Sequence, residues 1–197
     1  MTAEVNRKSE GTIMRRKSAA LTIALVFLLG TLSACSEINQ EDAPVELLAT
    51  IDQEVDTIDL ANPPTTNLGT ILLRAIVKRI DSDPRFLDVE LRRYRVSYRR
   101  TDGGTLVPAT FVRTISGTVP VGGSPTSFNT FTVFDIGSFN QAPYAALFPQ
   151  NGGRDPETNQ PFVKMDVIID IFGETVSGEE VSARALAPFI FCVGCTT

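Results

Sequence analysis

An antiparallel β-sandwich of about seven strands is the fold class predicted by this sequence. Three observations predict it. From Val45 onward apolar residues recur mostly with period two rather than 3.6, turn residues punctuate the alternation at short intervals, and little of the chain carries a helical pattern.

The chain begins with a segment of a different kind. Arg15-Arg16-Lys17 precedes the apolar stretch Ala19 to Leu29, which Thr22 interrupts and Gly30 closes, and Leu32-Ser33-Ala34-Cys35 follows. An apolar core of about a dozen residues falls short of the roughly 20 that a permanent spanning helix needs. These residues resemble a bacterial lipoprotein signal. The resemblance implies a signal peptide over residues 1–34, a covalent lipid on Cys35 as the mature N-terminus, and attachment to the cell envelope. Ser36 in place of Asp favours the outer membrane if the organism is didermal. Met1 to Ile13 carries Glu4 and Glu10 ahead of the basic run, so Met14 is the better start. A secretory signal with an incidental Cys35 and a retained anchor are the alternatives.

Residues 35–44 are polar and acidic with little to bury, and read as a flexible tether. The domain is expected over 45–195. Its first strands are Val45 to Ile51, Val55 to Leu60 and Thr70 to Ile80. Leu87, Val89 and Leu91 then alternate on one parity while Tyr94, Val96 and Tyr98 alternate on the other, so a bulge or break is expected between Leu91 and Tyr94. That strand stops at Asp102-Gly103-Gly104. Thr110 to Ile115 and Ser127 to Ile136 are the next candidates. Ala142 to Leu147 suits a helical turn with Pro143 at its first position, inside a long connection over 137–160 that is expected to be a surface feature. Val163, Met165, Val167, Ile169 and Ile171 alternate again. With Val181, Ala183, Ala185, Ala187, Phe189 and Phe191 they predict a long hairpin turning near Ser177-Gly178.

Tyr94-x-Val96-x-Tyr98 ending in Thr101-Asp102-Gly103-Gly104 resembles the third strand of fibronectin type III domains, and the closing hairpin suits the last two strands of that fold. The resemblance implies an Ig-like or fibronectin-type-III-like sandwich. The chain departs from that pattern in having no Trp.

Composition excludes several chemistries. The chain has no His, which removes His-based triads, the usual zinc sites and His-paired cysteine nucleophiles. No Gly-rich phosphate loop joins a strand to a helix. The formal charge is −5, and because residues 1–34 hold five cations and two acids, the remainder carries 13 cations against 21 acids, or −8. That acidity argues against nucleic acid as a partner. Ten of the cations nonetheless lie between Arg74 and Arg113.

Within that cationic segment Arg92, Arg93, Arg95, Arg99 and Arg100 form the densest cluster. With Tyr94, Val96 and Tyr98 inward, Arg93, Arg95 and Arg99 line the outer face. They form either a solvated, acid-paired sheet face or a face for an envelope polysaccharide or protein partner, since guanidinium forks suit carboxylate and phosphate. Asp166 and Asp170 share one strand face, expected to be solvated. Cys192 and Cys195 are expected to form a local disulfide that tightens the strand end, with redox or metal roles as alternatives. Calcium is a further candidate cofactor, at Asp81-Ser82-Asp83 with Asp88 and at Asp155-Pro156-Glu157-Thr158-Asn159, although neither matches an EF-hand loop. The functional expectation is a non-catalytic binding or structural module on a lipid anchor. Rival expectations are a carbohydrate-active hydrolase using carboxylates in the 137–160 region and a thiol-disulfide redox protein.

Overall fold

The computed structural model describes residues 43–51, 56–62, 70–79, 83–129 and 131–195. The signal segment, Cys35, most of the tether, and the expected strand ends at Val55 and Ile80 lie outside the described residues.

Among the described residues eight strands form two sheets: β1 (Val45–Ile51), β2 (Asp56–Asp59), β3 (Ile71–Val77), β4 (Val89–Arg100), β5 (Phe111–Val119), β6 (Thr126–Phe128), β7 (Phe162–Thr175) and β8 (Glu180–Cys192). One sheet has the order β1-β3-β6 and the other β2-β8-β7-β4-β5. Adjacent strands run antiparallel except β2, which lies parallel to β8. β1, β3 and β6 thus lie in one sheet and β4, β5, β7 and β8 in the other, the two layers of an all-β sandwich. β2 is an additional parallel strip.

The period-two pattern determines which faces meet. Val45 and Leu47 of β1, and Ile71, Leu73 and Ala75 of β3, are buried in one core with Val96 of β4, Val163 to Ile171 at odd positions of β7, and Phe189 and Phe191 of β8. The β7–β8 hairpin pairs Val163 with Phe191 and Gly173 with Val181, and Gly178 takes a φ of 94° in its turn.

The expected slip in β4 is a bulge. Arg92 is extra relative to β7, where Leu91 and Arg93 oppose Gly173 and Phe172, and this lets both Leu91 and Tyr94 point inward. Gly173 is required there, because a Cβ would lie 2.8 Å from Val89 Cγ1 and 2.9 Å from the Glu90 carbonyl oxygen. On the other side Ile115 and Ser116 of β5 oppose Arg92 alone. Arg113, opposite inward-facing Tyr94, is exposed above the Phe111 ring. A bulge and an inward-side cation both discourage edge-to-edge pairing, so β5 is a protected edge.

The structure corrects four expectations. Thr110 to Ile115 is part of a longer strand reaching Val119, whereas the described strand at the start of Ser127 to Ile136 ends at Phe128. Beyond it Phe131 and Val133 are buried, and the backbone at Thr132 and Val133 bonds to tyrosine hydroxyls: Tyr94 Oη donates to the Thr132 carbonyl and accepts from its N–H, and Tyr98 Oη donates to the Val133 carbonyl. Pro143 caps a short 3-10 helix, Tyr144–Leu147, rather than starting it. The 137–160 connection is not a surface feature throughout, since Phe139, Tyr144 and Leu147 enter the core and Asp155 is fully buried.

Candidate functional site

The outer face of the five-stranded sheet carries the arginines expected there, and the register arranges them in rows across strands. Arg95 of β4 opposes Asp170 of β7, which opposes Arg184 of β8. Arg99 opposes Asp166, and Arg93 opposes Phe172. Arg95 directs Nε and Nη2 to Asp170 Oδ2 at 3.2 and 2.8 Å, while Arg184 Nε donates to Oδ1 at 2.6 Å. Arg99 binds Asp166 Oδ2 the same way, at 3.3 and 2.7 Å. Arg93 makes no ion pair among the described residues; its guanidinium lies over the Phe172 ring at 5.3 Å, with Arg95 at 5.9 Å from the same centroid. Between the charged rows Ile168 faces half-exposed Leu186.

Asp166 and Asp170, expected to be solvated, lie instead beneath the guanidiniums. The Asp170 side chain is 8% exposed and that of Asp166 11%, against 46%, 63% and 64% for Arg95, Arg99 and Arg184. Longer side chains from both neighbouring strands close over a short carboxylate on the central strand. Burial by itself would raise the Asp170 pKa, but hydrogen bonds from Arg184 and then Arg95 outweigh it and hold the carboxyl below its ordinary range. A general acid needs the opposite shift.

At the bulge a pocket of about 200 Å³ is lined by Arg92, Arg93, Phe172, Gly173, Glu174 and Glu180. Arg92 pairs there with Glu90 at 3.0 Å and Glu174 at 3.6 Å, so acids balance cations at this end of the face.

Arg100 has a separate role that sequence reasoning missed. It shares the inward parity of Tyr94, Val96 and Tyr98, and its side chain is 1% exposed. Nε and Nη2 meet Asp102 at 2.7 and 2.9 Å, Nη2 meets Asp155 Oδ2 at 2.9 Å, and Nη1 donates to the Leu106 carbonyl at 3.2 Å. Gly104 covers the group so closely that a Cβ would lie 2.5 Å from Arg100 Cζ. Glu157 accepts from the N–H groups of Thr105 and Leu106, both at 2.8 Å. The cluster joins the end of β4 to the close of the 137–160 connection. Desolvation would raise the Asp102 and Asp155 pKa values, yet Arg100 and nearby N–H donors lower both. Glu157 is lowered by its bonds to Thr105 and Leu106. Asp155 and Glu157, the acids of the 137–160 region, are thus both engaged in hydrogen bonds.

The candidate calcium loops are similarly engaged. Asp83 accepts from the Arg85 backbone and guanidinium and Asp88 accepts from Val121 N, while Asp81 and Ser82 lie outside the described residues. Among the described residues no group of three or more metal-ligating side chains converges.

Cys192 and Cys195 lie within disulfide-bonding distance, their Cα atoms 6.0 Å apart. Gly194 between them, at φ 66°, donates its N–H to Asp59 Oδ1 at 2.8 Å, and Leu60 N donates to the Cys192 carbonyl. This turn therefore fastens β2 to the end of β8. Hydrogen bonds from the Ala61 and Gly194 N–H groups lower the Asp59 pKa.

No known protein-family model matches the chain, and no curated protein matches it.

Proposed function

We propose that this chain is a lipid-anchored cell-envelope protein whose β-sandwich acts as a non-catalytic binding module. The observation carrying the proposal is Leu32-Ser33-Ala34-Cys35 behind a basic run and a short apolar stretch. Acylated at Cys35, the chain is held at a membrane surface: each buried methylene contributes about 0.8 kcal/mol, and more than one acyl chain makes attachment stable. Residues 36–42, polar and acidic in sequence, are read as part of the tether between lipid and domain. The closed arrangement of charges on the sheet face, with each buried carboxylate held by guanidinium, supports recognition over acid catalysis.

The test is metabolic labelling with an alkynyl fatty acid in a didermal bacterium, with mass analysis of the purified mature N-terminus. The expected result is label on the wild type, an N-terminal residue at Cys35 and no label on Cys35→Ala. Label retained by Cys35→Ala, or a mature N-terminus elsewhere, would overturn the anchoring.

A further inference from the structure

We infer that the outer face of β4, β7 and β8 is a site for an acidic polysaccharide, and that Asp166 and Asp170 are positioning residues that aim its arginines. This deepens the reading of the chain as an envelope binding module and rests on it for where the ligand is met.

Charge on this face is layered. The carboxylates lie beneath, nearly closed off, while Arg95, Arg99 and Arg184 stand above them, roughly half to two-thirds exposed. A ligand approaching from solvent therefore meets cations first. Arg95 and Arg99 each spend Nε and Nη2 on an aspartate, and Arg184 spends Nε, so Nη1 of all three makes no hydrogen bond among the described residues. With Arg93, four guanidiniums stand over two carboxylates. Fixing a guanidinium plane before the ligand arrives removes part of the ordering cost of binding.

Row spacing selects the ligand class. Asp166 and Asp170 are four residues apart on β7, so the two guanidinium rows are separated by about 13 Å. Between them lie Ser97, Ile168 and half-exposed Leu186 in one cross-strand row. Anionic groups at intervals with apolar ring faces between them match a polysaccharide with spaced carboxylates; a polyphosphate offers closely spaced charge and no apolar surface. Lys164, exposed above Phe162 at 5.1 Å, continues the cationic track at one end. The Glu90, Glu174 and Glu180 group ends it at the other.

The experiment uses the full chain purified in detergent, with polygalacturonate as probe, neutral dextran as control and polyphosphate as competitor. Cys35→Ala protein is run alongside, so that loss of anchoring and loss of ligand binding are read separately. The expected result is salt-sensitive binding to polygalacturonate, equal for wild type and Cys35→Ala, and weakened about tenfold by Arg93→Ser with Arg184→Ser. Both side chains are surface groups whose removal leaves Asp170 paired with Arg95, and an unchanged thermal melt verifies the fold. Asp166→Asn with Asp170→Asn makes the face more positive. Weaker binding by that variant supports positioning, and tighter binding overturns it. Absence of binding by the wild type, unchanged binding by the double arginine variant, or equal binding of polyphosphate at matched charge overturns the site.

Discussion

Replacing Arg100 with Ala should be among the most damaging single changes to this domain. Its guanidinium, 1% exposed, pairs with both Asp102 and Asp155, whose side chains are 6% and 0% exposed. Ala leaves two carboxylates in a site with little water, and removing one partner of a buried pair costs about 3–5 kcal/mol. With a urea slope of about 2 kcal/mol/M, the midpoint should fall by about 2 M. Burying the pair in the first place need not be net stabilising. Arg100→Met combined with Asp102→Asn and Asp155→Asn should therefore recover much of the loss. Both aspartates have folded pKa values held below the ordinary carboxylate range. Their contribution is thus present above the unfolded pKa and lost as pH falls through the folded values. Wild type should lose stability steeply below about pH 4, and the triple variant less steeply. Urea titration of full-length protein at neutral and acid pH measures both effects. A cost under about 1 kcal/mol for Arg100→Ala, or a triple variant no more stable than the single one, would refute the reasoning.

Two further outcomes follow from local geometry. Gly173→Ala forces a Cβ against Val89 and the Glu90 carbonyl, and should cost about 1–3 kcal/mol by overpacking; a melting temperature within error of wild type would count against the close approach at the bulge. Cys192→Ser with Cys195→Ser opens a four-residue loop, which the chain-entropy relation values at about 2 kcal/mol, and hydrogen exchange should rise in 57–62 as Gly194 loosens from Asp59. Unchanged exchange in β2 would show that the turn holds without the cysteines.

Much of the architecture was legible because strand faces are encoded with a two-residue period. The β7–β8 hairpin, β1, and the phase slip at Leu91 to Tyr94 could all be read from which residues alternate. The β2–β8 pairing could not, since four residues with no turn linking them to their partner carry no register information. Nor could the end of β6, beyond which Phe131 and Val133 still alternate and tyrosine hydroxyls bond to the backbone at Thr132 and Val133. The arginine face was legible as a location through parity. Its electrostatic character was not, because that depends on which strand lies beside β4. Arg100 carried a usable signal: its parity is that of Tyr94, Val96 and Tyr98, and a cation at an inward position requires a partner.

Sequence by itself determined the all-β class, the inward and outward sets of most strands, and the lack of any histidine. Tertiary structure decided which acids meet which arginines. Asp155 reaches Arg100 across 55 residues of chain, and Asp170 joins Arg95 to Arg184 across three strands. Local patterns specify the face on which a side chain lies, whereas the partner it meets there depends on strand order and register, which arise only when the whole sandwich closes.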